Sequence, residues 1–379
     1  MSDAASTRLT RFFDTHPSYR TSGFLPAEDP LPAFPEHSGL RLLDKAGSQL
    51  PDLLRDPGLR LHMRENFWPA HWFEYCVGPE YLSELRLYYV RLAFAASAYM
   101  HQLNQPTVTV LPRNIAIPLV HAAHLLARPP ILSYDAYALY NWRRIDPDGP
   151  IVPDNLATIQ NFMHLPDAHG INQETWFIVI HVAIEAIAAH ILDALARFVK
   201  GESELNGVLY EMAETVHDMN RVQARIPEHM DPMVYYQTFR HYIQGFPEGT
   251  VYESERQVTF PLRGETGAQS SIMPLLTAFL KIHHNPQSPM VQMLADMRNY
   301  MPAEHRALLA LVDALPNIKH QASKRAWNSL IDAMIAFNER HAGNADRYIY
   351  QRTDNTTGTG GTPRGWLTDL IDERRAAKK

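Results

Sequence analysis

The sequence predicts a mainly α protein with a large all-helical C-terminal domain and a smaller N-terminal α domain with few short strands. Three observations carry this. Apolar residues recur at the helical period through most of the chain after Pro79. Strand-like runs are few, VYES and RQVTFPL being the candidates. The segment DPDGPIVPDN (146–155) concentrates Asp, Pro and Gly into a turn-rich crossover, which sets a domain boundary shortly after it and divides the chain into 1–165 and 166–379.

Taken in order, residues 1 to about 80 are broken by proline, as in LPAEDPLPAFPEHSG, so an irregular wrap with short helices is expected. The spacing of Leu82, Leu85, Tyr89 and Leu92 predicts a core helix over 79–104, and 112–126 repeats the pattern. Further helices are predicted near 174–199, 203–225, 231–245, 270–284, 288–299, 303–314 and 320–342, several opening on Ser or Pro as at Ser288–Pro289. No fixed-period repeat is present. After Tyr350, TDNTTGTGGTPRG is polar and glycine-rich: a disordered tail, or a loop that orders over something.

The chain has 379 residues and a net charge of −6 with both signs dispersed, so nucleic acid and membrane surfaces are not expected partners. Its single cysteine, Cys76, excludes intramolecular disulfides and cysteine-built zinc or iron–sulfur sites, and suits a reducing cytoplasm. The N-terminus shows no secretory signal pattern. The apolar run Trp176 to Val199 carries His181, Glu185, His190, Asp193 and Arg197, which favours a helix inside a protein core over a membrane span.

Among 19 histidines, spacing does the sorting. His121/His124 and His283/His284 lack nearby acidic ligands and read as core or surface residues; a di-iron bundle needs two Glu-x-x-His pairs, and only Glu214 to His217 is present. Nucleotide-binding glycine loops and a Gly-x-Ser-x-Gly elbow are absent from the sequence. His341 continues the apolar stripe Leu330, Met334, Phe337, and is either a core or C-terminal capping histidine, with Gly343 just beyond, or an axial haem ligand. Phe177, His181 and Glu185 share one helix face, giving either a buried His–Glu hydrogen bond or an imidazole presented to a ligand in an apolar pocket. Tyr236 and Arg240 lie four apart, so the guanidinium either meets a surface acid or holds a substrate carboxylate.

Eight blocks in one order resemble the indoleamine 2,3-dioxygenase family: LPRNIAIP (111–118), ARPPILSYDAYALYNW (127–142), the Phe177–Glu185 helix, YYQTFRHYIQGF (235–246), GAQSS (267–271), MRNYMP (297–302), His341 with RYI (347–349), and GTGGT (358–362). The resemblance implies haem b in the large domain, with His341 as the proximal iron ligand and Gly267 and Ala268 beside the cofactor. It implies that Arg240 binds the amino-acid carboxylate, that Phe177 and Tyr134 line the indole pocket, that Tyr235 contacts substrate where the animal enzymes place phenylalanine near the ring, and that Thr359 and Gly360 belong to a mobile loop that closes over substrate.

Two pocket positions depart from the animal enzymes, with His181 in place of serine and Tyr236 in place of phenylalanine. Both instead resemble tryptophan 2,3-dioxygenase, where histidine contacts the indole N–H and a Tyr-x-x-x-Arg pair flanks the carboxylate. The expectation is a dioxygenase that acts on L-tryptophan or a close indole derivative with dioxygen, giving N-formylkynurenine, with neutral His181 as the catalytic residue that accepts the N–H hydrogen bond. The alternatives are a haem monooxygenase or ring-rearranging enzyme of secondary metabolism, and a non-catalytic haem gas sensor.

Overall fold

The computed structural model describes residues 4–66, 78–257, 262–352 and 357–379. Cys76, part of RQVTFPL and the start of the polar tail lie outside the described residues.

Helices dominate, as the apolar spacing requires. The first stretch is more helical than its prolines suggest: α1 (Ala4–Thr15), α2 (Tyr19–Ser22), α3 (Arg41–Leu53) and α4 (Leu59–Asn66). Proline is tolerated because it falls between these helices or, as Pro51, in the last turn of α3. The core helices follow as α5 (Leu82–Met100) and α6 (Arg113–Leu125). The crossover carries a 3-10 turn (Pro153–Asn155) and is flanked by an antiparallel pair, and the five two-residue strands among the described residues are β1 (Val110–Leu111), β2 (Arg143–Arg144), β3 (Leu156–Ala157), β4 (Val251–Tyr252) and β5 (Arg256–Gln257). β1 pairs parallel with β4, which pairs antiparallel with β5; β2 pairs with β3.

The predicted helix 174–199 is two helices, α7 (Gln173–Ile187) and α8 (Ala189–Val199). The break coincides with Gly23, whose φ of +66° brings its backbone against the Glu185 carbonyl and Ala189 N–H, so close that a Cβ there would sit 2.2 Å from the carbonyl oxygen. This apolar run is long enough to cross a membrane, yet 72% of its most apolar window is buried inside the protein, as a core element.

Beyond it lie α9 (Leu205–Gln223), α10 (Pro232–Gln237) and α11 (Phe239–Tyr242). Asp231 caps α10, its carboxylate accepting from Met233 N–H at 2.7 Å and Val234 N–H at 3.1 Å. The continuous helix expected over 231–245 is interrupted at Thr238, which leaves the helical basin (φ −120°, ψ −100°) while its hydroxyl bonds back to the Val234 carbonyl. Next come α12 (Ile272–Phe279), α13 (Pro289–Arg298), α14 (Ala303–Asp313), α15 (Lys324–Ala345) and α16 (Trp366–Ala377). The serine caps are as the sequence predicts at α13, where Ser288 accepts from Met290 N–H at 3.3 Å. Ser323 caps α15 in the same way, accepting from Ala326 N–H at 3.1 Å. α15 packs along α9 more extensively than any other described pair of elements, and α1 packs on α8 and α14. The resulting core runs from Ala5 to Ile371.

Candidate active site

α15 presents His341 from inside its last turns. The helix continues to Ala345 and passes into a π-helical turn over Asp346–Tyr350, so Gly343 lies within it and does not terminate it. A capping role for His341 is therefore excluded by position. The imidazole has no hydrogen-bond partner among the described residues, and burial pushes it down to about 4, which makes it a neutral nitrogen base. It lines a cavity of about 290 Å³ together with Tyr134, His181, Gly267 and Ala268. A methyl built on Gly267 would lie 3.5 Å from His341 Cε1, so this short segment flanks the imidazole edge closely.

From α7, His181 lines the same cavity and an adjoining smaller chamber that it shares with His341 and Gly267. Its Nδ1 lies 2.8 Å from the Phe177 carbonyl, one turn back. Burial lowers its pKa, so the ring is neutral; a carbonyl can only accept, so Nδ1 carries the proton and Nε2 keeps its lone pair. The buried His–Glu bond that shared spacing allowed is not formed. Glu185 instead accepts from the hydroxyls of Tyr134 at 2.8 Å and Ser270 at 2.6 Å, and desolvation pushes it up to about 7. Glu185 thus fixes the Tyr134 ring, which meets His181 edge-on with centroids 6.0 Å apart.

The smaller chamber is aromatic. Phe177 stands 5.4 Å from Tyr235 and 5.9 Å from Phe239, and Tyr348 meets Tyr235 edge-on at 5.7 Å. Tyr348 is a wall residue that spacing alone did not single out, although it lies in the quoted RYI block.

The break at Thr238 separates neighbours. Tyr235 faces the aromatic chamber, whereas Tyr236 and Arg240 line a third, outer cavity with the loop after Thr357. Arg240 is buried, its Cζ 5.0 Å from the Tyr236 ring centroid, a cation–π contact. Thr359 joins the two chambers: its hydroxyl accepts from Arg240 Nε at 3.2 Å and lies 3.4 Å from the Tyr235 hydroxyl. The loop is ordered by Gly358 N–H donating to the Thr362 carbonyl at 2.7 Å. Gly360 packs so tightly on Thr266 that a Cβ would sit 2.6 Å from Thr266 Cγ2. All the candidate residues read from the sequence thus fall in one region, with Arg240 and Tyr236 on its outer side.

A family model described as indoleamine 2,3-dioxygenase matches residues 15–375. The chain belongs to the indoleamine 2,3-dioxygenase family. It is 28% identical over 348 residues to indoleamine 2,3-dioxygenase 2 of Mus musculus, covering 86% of this chain and 82% of that protein. The indoleamine 2,3-dioxygenase of Saccharomyces cerevisiae is 28% identical over 301 residues, 70% of this chain and 65% of the yeast protein. The 6-hydroxytryptophan 2,3-dioxygenase of Fusarium equiseti is 26% identical over 358 residues, 89% of this chain and 84% of its own length. Membership makes the chain a haem-dependent dioxygenase.

An indoleamine 2,3-dioxygenase must accept a flat, mostly apolar ring that carries two carboxylates and needs one neutral nitrogen ligand. The largely apolar first cavity, walled by residues such as Ile184, Met219, Leu294 and Phe337, meets the first requirement, and His341 meets the last. Arg374, 3% exposed, supplies a cation whose Nε has no partner and which pairs with no carboxylate among the described residues. A buried guanidinium whose Nη1 donates to the Leu370 carbonyl at 3.4 Å but which has no counter-ion is costly unless an anion joins it, so this residue set fits the group. Spacing did not reveal Arg374, because a lone arginine on α16 resembles any solvated cation.

Proposed function

We propose that the chain binds haem b through His341 and inserts both atoms of dioxygen across the C2=C3 bond of an indole, most simply that of L-tryptophan, giving N-formylkynurenine. The reaction is balanced in itself: substrate and dioxygen sum to the product, and no external reductant is consumed. Bound haem supplies dioxygen binding and activation at its iron. The protein supplies placement.

The observation that carries this reading is the pair of neutral histidines lining one cavity, with the His181 tautomer set by the Phe177 carbonyl. Nε2 of His181 is left as an acceptor facing the cavity, and an indole N–H is the donor that suits it. The ring lies among Phe177, Tyr235 and Tyr348, where aromatic edges and faces favour another aromatic. The hydroxyl of Tyr134 is already committed to Glu185, so Tyr134 acts as a wall and not as a proton carrier. Arg240 is one residue layer outside, behind Thr359, and offers its guanidinium to a carboxylate that reaches past the loop. The loop, with Gly360 seated on Thr266, excludes water over the reacting carbons.

The test is reconstitution with haem, anaerobic reduction, then L-tryptophan and dioxygen, with mass analysis of the product. Gain of two oxygen atoms is expected. Gain of one oxygen, or no turnover of any indole amino acid, overturns the reading.

A further inference from the structure

Glu265 is 3% exposed and lines the aromatic chamber. Its carboxyl has no hydrogen-bond or ion-pair partner among the described residues. It is also the sole carboxylate among the described residues that line the three cavities. The arginine nearest in sequence is engaged elsewhere, Arg263 donating to Asp296 at 2.8 Å.

The backbone holds Glu265 firmly. Its N–H donates to the Ile243 carbonyl at 3.0 Å, directly after the α11 turn that carries Arg240. Gly264 makes this possible, since a Cβ there would lie 2.3 Å from the Ile243 oxygen. On its other side, Thr266 supports Gly360 of the loop. Glu265 therefore sits between the segment of the carboxylate-binding arginine and the loop that covers the pocket.

An α-amino acid brings an ammonium as well as a carboxylate, and neither charge enters a dry pocket without a partner. Building on the indole amino-acid reading above, we propose that Glu265 binds the substrate α-ammonium and selects amino acids over indole acids that lack the amine. The site then reads the two ends of a zwitterion separately, with Arg240 on one and Glu265 on the other. Burial alone pushes the empty-pocket carboxyl up to about 8, so it carries no obligatory charge until a cation arrives to balance it.

The experiment titrates haem-loaded wild type and Glu265→Gln with L-tryptophan and with indole-3-propionate, reading the change in the haem absorption spectrum. Wild type is expected to bind L-tryptophan at least about tenfold tighter than indole-3-propionate, because the acid leaves Glu265 unpaired. Glu265→Gln, with unchanged haem content, is expected to weaken L-tryptophan by roughly 10- to 100-fold and to leave indole-3-propionate within about twofold, the loss of one charge-assisted hydrogen bond. Equal weakening of both ligands, or of neither, overturns the proposal. So does a wild-type protein that binds the two equally. If neither compound perturbs the wild-type spectrum, the indole reading itself falls and takes this one with it.

Discussion

The Nδ1–H of His181 is spent on the carbonyl of Phe177, 2.8 Å away on its own helix, and the same Phe177 ring stands against His181 with centroids 4.6 Å apart. One residue thus sets both the proton position and the tilt of the imidazole. His181→Ala is expected to bring the affinities for L-tryptophan and its N1-methyl analogue together by roughly 10- to 100-fold, the worth of one hydrogen bond in a dry pocket. Competitive binding of the two ligands measures it, and an unchanged ratio rejects the N–H contact.

His341→Ala is expected to fold and to lose stable haem. The side chain has no hydrogen-bond partner among the described residues, so its removal breaks no polar contact of the fold while it removes the sole neutral base of α15 facing the first cavity. Haem content of the purified variant, against its far-UV circular dichroism, separates the two effects. Full occupancy defeats the axial assignment.

Arg240→Leu removes a guanidinium held by Thr359 and the Tyr236 ring, outside the aromatic chamber. Haem binding is expected to persist, while L-tryptophan affinity falls by roughly 10- to 100-fold, as for a lost charged hydrogen bond. Tryptamine, which lacks the carboxylate, is expected to bind both proteins alike; an equal loss for tryptamine counts against the clamp.

Three buried glutamates make stability depend on pH. Desolvation pushes Glu174 and Glu185 up to about 7 and Glu265 up to about 8. Each binds its proton more tightly in the folded than in the unfolded chain, so their contribution is complete below the unfolded carboxyl range, near pH 4.5. It is lost as pH rises through 7 to 8, with each group contributing at most about 1.4 kcal/mol per pH unit. Thermal unfolding of the haem-free protein is expected to show this decline. Glu185→Gln keeps an acceptor for Tyr134 and Ser270 and is expected to flatten it; an unchanged slope removes Glu185 from the account.

Periodicity made most helices legible, because long amphipathic runs such as α9 and α15 state their buried face in sequence. The breaks were not legible. Ala188 is a good helix former, and its irregularity coincides with the close approach of Gly23 from far along the chain. Thr238 has no breaker signature, yet its hydroxyl bond to Val234 puts Tyr235 and Arg240 in different chambers. The histidines could be read from spacing only as alternatives, and the resemblance pointed to their cavity. Glu265 was passed over because a single carboxylate has no spacing to measure. Its one signal is an acid set within a run of otherwise uncharged, mostly small residues, Gly264 to Ser271. Glu185 gave its face but not its partners, since Tyr134 and Ser270 lie 51 and 85 residues away.

The seat of Gly360 on Thr266, with the neighbouring Thr359 hydroxyl on Arg240, gives the covering loop two footholds. One is beside the residue assigned to the ammonium, the other on the residue assigned to the carboxylate. On these assignments the loop is expected to act as a coincidence detector: a molecule bearing only one of the two charges would brace one foothold and leave the other slack, so commitment to oxidation would require both halves of the amino acid at once.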